Sequence, residues 1–159
     1  MKDINQISIP PHIAEFLCKV AGVNHTTRVF DGTCGVGSML LPALSAELEQ
    51  SRTIDADGGE KKKIENEILR NHIWGIESDE TLYRQTKEKL RPVCGDSCNL
   101  LHGNLFEQVE FIRQADPDVI LMNPPFNTPV SSIPDQYKTG WRASDKEDPT
   151  KGMVFLLPL

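Results

Sequence analysis

Basic charge is what this sequence has too little of. Its 159 residues hold 17 Lys and Arg against 23 Asp and Glu, a formal net charge of −6. The basic footprint that neutralises phosphates on nucleic acid is therefore missing overall. If the chain acts on DNA, the main grip comes from elsewhere. Long apolar runs are missing too, since none reaches the ~18 residues of a membrane span. MKDINQISIPP at the N-terminus has no apolar signal core, so export is not expected and a cytoplasmic setting is. The four cysteines, Cys18, Cys34, Cys94 and Cys98, are expected to be thiols in a reducing compartment. Cys94 and Cys98 have a loosely metal-like spacing, but no second Cys or His pair accompanies them, and no metal site is expected. With 38% apolar and 25% charged residues and no internal repeat, the composition is that of one globular domain with a core of its own.

What is present alternates. IPPHIAEFLCKVAG (9–22) reads as a helix, with Pro11 in its first turn, Gly22 as its stop, and Ile13, Phe16, Leu17 and Val20 along one apolar face. RVFD (28–31) is a short strand running into the glycine turn DGTCGVGS. MLLPALSAELEQ follows as a helix whose Pro42 belongs in the first turn. The polar stretch 51–70, with Asp-Gly-Gly and the triplet Lys61-Lys62-Lys63, reads as a solvated surface insertion, helical only near its end. HIWGIES (72–78) is a second strand and DETLYRQTKEKLR (79–91) a helix with an acidic start that suits its dipole. NLLHGN (99–104) is a third strand and its turn. DVILMN (118–123) is a fourth, whose continuous apolar run predicts cover on both faces. A polar, mobile loop is expected over 127–151. GMVFLLPL (152–159) then opens a helix introduced by Asp148-Pro149, in preference to a fifth strand.

Strand–helix alternation of this kind predicts an open, mostly parallel α/β sheet with helices on both faces. Such sheets bind ligands at the carboxyl ends of their strands. Every unusual segment lies at such an end: DGTCGVG, GIES, HGN and NPPF. Gly32, Gly35 and Gly37 allow a tight turn and close approach of a ligand to the backbone. The spacing is neither the G-x-G-x-x-G fingerprint nor a phosphate loop, because no Lys follows the glycines. Glu77, ending the second strand, suits the two hydroxyls of a ribose. It lies further from the glycine turn than the usual ~20 residues, and the 51–70 insertion accounts for the excess.

Asn123-Pro124-Pro125-Phe126 is the sharpest feature. The prolines fix the backbone, so that the Asn123 side-chain oxygen and the Pro124 carbonyl can converge on one amino group with two hydrogens. Phe126 offers a face for a planar ring, a contact worth roughly 1–3 kcal/mol per base.

The set D-G-T-C-G-V-G-S-M-L, G-I-E-S and N-P-P-F resembles S-adenosylmethionine-dependent adenine-N6 DNA methyltransferases. Thr33-Cys34 inside the glycine turn looks most like the modification subunits of type I restriction–modification systems and their fused relatives. The resemblance covers roughly residues 8–126, including IPPHIAEFL (9–17), which matches a Pro-rich helix start ahead of the glycine turn. It implies a Rossmann-like class I methyltransferase fold, of which about four to five of seven strands are expected here. It also implies a helical cofactor-flanking segment at 1–27 and a partial catalytic domain at 28–159. Asp31, Gly32, Thr33, Cys34, Gly35 and Gly37 would line the methionine part of S-adenosylmethionine. Glu77 would hold the ribose, Ile76 or Ser78 would lie beside the adenine, and Asn104 with Leu105 would lie near the same ring. Asn104 stands where the family commonly has an Asp, and Ile9 where it has a Thr. Asn123, Pro124, Pro125 and Phe126 would form the catalytic clamp.

The chemistry the resemblance implies needs no catalytic His or Cys. Accepting both N6 hydrogens favours the pyramidal nitrogen of the transition state and aims it at an already activated methyl group. The base must first leave the duplex. The implied partners are DNA, reached through a full-length enzyme, with specificity and restriction subunits. The chain alone is expected to be an inactive fragment with apolar surface that favours self-association. Two alternatives share the motif: methylation of guanine N2 in ribosomal RNA or of a protein glutamine amide, and an inactive, binding-only domain.

Overall fold

The computed structural model of the chain describes residues 9–96 and 98–159. The stretch 1–8, and with it most of the supposed signal-free N-terminus, lies outside the described residues. Four strands form one sheet in the order β3-β2-β1-β4: β1 (Val29–Asp31), β2 (Ile73–Glu77), β3 (Asn99–His102) and β4 (Val119–Ile120). All three pairings are parallel, with Phe30 opposite Trp74 on one side and Ile120 on the other. The helices are α1 (Pro11–Val20), α2 (Leu40–Thr53), α3 (Gly58–Glu67), α4 (Glu80–Cys94) and α5 (Val109–Ala115).

Alternation along the central strand divides the interior in two. Val29 and Ile73 join Leu40 and Leu44 of α2, Leu90 of α4 and Ala14 of α1 in one core. Phe30 and Ile76 join Ile112 of α5, Leu105, Phe106, Val154 and Phe155 in the other. The sheet is thus covered on both faces at its centre, as the apolar runs predict. Pro42 is the third residue of α2, inside the first turn, where its missing N–H costs nothing.

Several expectations need correction. The period of α1 is right but its buried face is not. Ala14 and Cys18 pack inward, whereas Ile13, Phe16 and Val20 are 42%, 61% and 68% exposed. Small side chains let α1 approach α2 closely, and that proximity outweighs the larger apolar stripe. Residues 51–70 are almost wholly helical. They hold the end of α2, then α3, then a π-helical turn at Ile68–His72. Asp57 caps α3 by accepting from the Gly59 and Glu60 amides, so the Asp-Gly-Gly signals a helix start instead of a loop.

α5 had no counterpart in the periodicity reading, being only 7 residues long. β4 is a two-residue edge strand, and Ile120 is 41% exposed, so full cover of DVILMN fails at the sheet's free edge. Segment 127–151 carries short 3-10 turns at Val130–Ser132 and Asp135–Tyr137 and buries Ile133 in the second core. The end of the chain is a 3-10 turn, Met153–Leu156, helical as expected and not a strand. Cys94 and Cys98 are joined in a disulfide, contrary to the expectation of free thiols. The turn at Gly95, with φ of 61°, folds the chain back and brings the two Cα atoms to 6.0 Å, within bonding range. Cys18 and Cys34 are free and buried.

Candidate active site

The strand order reverses between β1 and β4, so a crevice opens beside the carboxyl end of β1. There a cleft of about 750 Å³ is lined by segments following all four strands. After β1 the chain turns on Gly35, at φ of 54°, and Gly37, at φ of 78°, values open to glycine at little strain. The turn is tied down by backbone and carboxylate bonds. Thr33 N–H donates to Asp31 Oδ1 at 3.0 Å, and Cys34 N–H donates to the Ile76 carbonyl at 3.0 Å.

Glu77, buried at the end of β2, joins this turn to the next helix. Its Oε2 accepts from Gly35 N–H at 2.8 Å and its Oε1 from Asp79 N–H at 2.8 Å. Oε1 also accepts from the Ser78 hydroxyl at 3.4 Å, whereas Oε2 keeps a lone pair, so a hydroxyl entering the cleft still finds an acceptor. Asp79 in turn caps α4 by accepting from the Thr81 and Leu82 amides. At the end of β3, Asn104 Oδ1 accepts from Phe106 N–H at 3.2 Å, which turns the chain so that Leu105 lies over Gly32. A Cβ at Gly32 would come 2.8 Å from Leu105 Cδ1, so a larger residue there would push the Leu105 side chain aside, and the glycine serves close packing and not its φ. After β4, Asn123 to Phe126 form one wall of the cleft, with the Phe126 ring 47% exposed.

A family model described as N-6 DNA Methylase matches residues 2–157. The chain belongs to that family. A curated relative, the type II restriction enzyme and methyltransferase RM.BcgI of Heyndrickxia coagulans, is 26% identical over 119 residues, which are 74% of this chain and 17% of the relative. Among solved structures, a protein described as a type I modification subunit from Vibrio vulnificus YJ016 superposes with a TM-score of 0.64 at 20% identity. That match covers 87% of this chain and 28% of the other. The EcoKI M protein superposes with a TM-score of 0.61 at 16% identity, covering 79% of this chain and 26% of its own. At these identities the structures establish the shared fold. The chain spans between about a sixth and just over a quarter of the length of these proteins.

The cleft of this family member gathers nearly every residue singled out from the sequence. Asp31, Gly32, Thr33, Cys34, Gly35, Glu77, Ser78, Asn104, Leu105, Asn123, Pro124, Pro125 and Phe126 all line it, as does Ile9. Two do not. Gly37 is turned away beneath α4, against the Thr86 side chain. Ile76 is fully buried in the second core, so Ser78 is the one of that pair at the cleft. Residues that the sequence reading missed include Leu82 of α4, Phe106, Ser132 and Phe155. Leu82 sits one turn into a helix with a clear cap, which periodicity could have placed near the strand ends. Phe155 arrives from the far end of the chain, and no local pattern announces it.

Two carboxylates share this small space. Burial pushes the Asp31 carboxyl up to about 7, with the nearby Glu77 charge adding to the shift and the Thr33 amide opposing it. Cys34 is raised well above the usual thiol range by burial, Asp31 and Glu77, so it stays a neutral thiol and is no nucleophile. Among the described residues no group of His, Cys, Asp and Glu is arranged to hold a metal ion. No helix among them is long and apolar enough to cross a membrane.

Proposed function

We propose that the cleft holds S-adenosylmethionine and presents the N6 amino group of an adenine in DNA to it. The observation that carries this reading is that the Gly35–Glu77 turn and the Asn123-Pro124-Pro125-Phe126 wall open onto one cleft at the switch point of the sheet. The donor set fits the cofactor. Two buried carboxylates, Asp31 and Glu77, suit a ligand bearing a sulfonium, an ammonium and two ribose hydroxyls. When bound, S-adenosylmethionine supplies the activated methyl group.

This chain's own residues then bind and orient. Glu77 accepts from the ribose hydroxyls, and Asp31 faces the methionine end with Gly32, Thr33, Cys34 and Gly35. Asn104 and Leu105 border the adenine side. Asn104 Oδ1 is already used within its own turn, so its amide NH₂ is the group left to donate. Asn123 and the Pro124 carbonyl accept the two hydrogens of the target amino group, and Phe126 stacks on the flipped base. The half-exposed Phe126 ring supports that role, because a stacking face must be open before the base arrives.

Family membership and the restriction–modification relatives favour DNA over RNA or protein as the substrate. On this reading residues 28–159 are part of a catalytic domain that works in the cytoplasm within a longer assembly. The net charge of −6 fits DNA contacts made largely by other parts, such as specificity and restriction subunits. Exposed Met153, Leu156 and Leu157 mark apolar surface that further protein or a second copy would cover. The test gives a full-length enzyme carrying this segment tritiated cofactor with DNA, RNA and protein separately. Label in DNA as N6-methyladenine, lost in Asn123→Ala, is the expected result, and label only in RNA or protein refutes it.

A further inference from the structure

Gly35 is held from both sides. Its N–H donates to Glu77, and its carbonyl accepts from the Thr86 hydroxyl of α4 at 2.6 Å. Thr86 is fully buried and does not line the cleft. Its methyl group packs under the same turn, where a Cβ at Gly37 would come 3.0 Å from Thr86 Cγ2. One turn further along α4, Lys89 Nζ donates to the Val36 carbonyl at 3.1 Å. Two successive carbonyls of the glycine turn are therefore gripped by one helix.

We propose that Thr86 is a positioning residue for the cofactor turn, acting through Gly35 on the Glu77 carboxylate. A glycine-rich turn has more backbone freedom to lose than any other segment. A mid-helix Thr usually gives its hydroxyl to the carbonyl four residues back, whereas Thr86 spends its single hydroxyl hydrogen outside its helix. That bond fixes the Gly35–Val36 peptide, Glu77 fixes the preceding Cys34–Gly35 peptide through its N–H, and the two bonds together hold the φ and ψ of Gly35. Threonine supplies both requirements at once, a hydroxyl for Gly35 and a methyl for Gly37. Valine keeps the shape and leaves the Gly35 carbonyl without its donor. Serine keeps the donor and loses only the methyl.

The inference rests on the cofactor reading above, and its test separates the two. S-adenosylmethionine is titrated by calorimetry into the wild-type chain, Thr86→Val and Thr86→Ser, and amide hydrogen exchange at Gly35 is followed without ligand. The expected result is affinity lower by about tenfold in Thr86→Val and within about threefold of wild type in Thr86→Ser. Gly35 exchange is expected to be slow in wild type and Thr86→Ser and faster in Thr86→Val. Equal binding by wild type and Thr86→Val overturns the inference, as does an equal loss in both variants, which would reduce Thr86 to packing. If Thr86→Val does not fold, Thr86→Ser and the exchange of Gly35 in wild type decide, and fast exchange there overturns it. A wild-type chain that binds no cofactor while protecting Gly35 refutes the cofactor reading and leaves the brace standing.

Discussion

The Glu77 carboxylate and the Gly35 amide meet at 2.8 Å across 42 residues of sequence. This bond locks the end of β2 to the turn after β1, so the Glu77 carboxylate and the glycine turn cannot move independently.

The first prediction follows from that double duty. Glu77→Gln retains one carbonyl oxygen, so an NH₂ group must face either the Gly35 or the Asp79 amide, donor against donor. The amide substitution, near-isosteric though it is, is expected to cost roughly 1–3 kcal/mol in cofactor binding, about ten- to a hundredfold in Kd. Calorimetric titration of S-adenosylmethionine checks it. Binding unchanged in Glu77→Gln would show that the carboxylate is only a local cap.

The second concerns Asp31. Its carboxyl is pushed up to about 7 by burial, so near neutrality a large share of the ligand-free chain carries it protonated. A cationic ligand favours the ionised form, so affinity is expected to rise with pH toward and through about 7, by up to tenfold per unit on the acid side. Asp31→Asn should flatten that profile. Calorimetry from about pH 5.5 to about pH 7, below the α-amino range, gives the slope, and a flat wild-type profile rejects the assignment.

How much of this was legible depends on the range of each signal. DGTCGVG, Glu77 and NPPF were readable because each is a local departure from regular structure at a strand end, and the strand ends meet by topology alone. The shared cleft followed from those two facts. The burial direction of α1 was not readable, because hydrophobic periodicity identifies an apolar stripe but not the neighbour it meets. Nor was the helical nature of 51–70, where charge and Asp-Gly-Gly imitate a loop until Asp57 is seen capping. Thr86 reaches the glycine turn across a separation of 51 residues, and Phe155 comes to the cleft from near the end of the described chain. Sequence spacing carries no trace of such pairs.

Gly152 tests the cleft wall formed by Asn123, Pro124, Pro125 and Phe126. It sits at φ of 98°, with Pro124 Cγ only 3.1 Å from where a Cβ would be, and Asp148 Oδ2 accepts its N–H at 2.7 Å. A proline ring cannot swing away as a flexible side chain would. Gly152→Ala is therefore expected to lower stability by roughly 1–3 kcal/mol, or about 2–4 °C in Tm for each kcal/mol. In the full-length enzyme it should cut methyl transfer more than cofactor affinity, because the strain falls on Pro124 and not on Glu77. Thermal melting with paired kinetic and binding measurements separates these. A variant with unchanged Tm would show that the turn relaxes freely.

The last prediction lies beneath the sheet, away from the cleft. Glu47 of α2 is fully buried, with Oε2 2.9 Å from His72 Nδ1 and Oε1 without a hydrogen-bond partner among the described residues. Burial pushes its carboxyl up to about 7, while the hydrogen bond and charge of His72 oppose the shift. A carboxyl raised in the folded state binds its proton more tightly there than in the unfolded chain. Its stabilising effect is full below the unfolded value of 4.5 and is lost as pH rises through about 7. Glu47→Gln has no such loss and keeps an amide oxygen to accept from His72 Nδ1–H. The variant should therefore gain on wild type as pH rises, from near parity at about pH 5 to an advantage of roughly 1–3 kcal/mol at about pH 8. Denaturant melts of both chains at the two pH values measure the gap. A gap that stays constant between the two pH values would reject a carboxyl raised by burial.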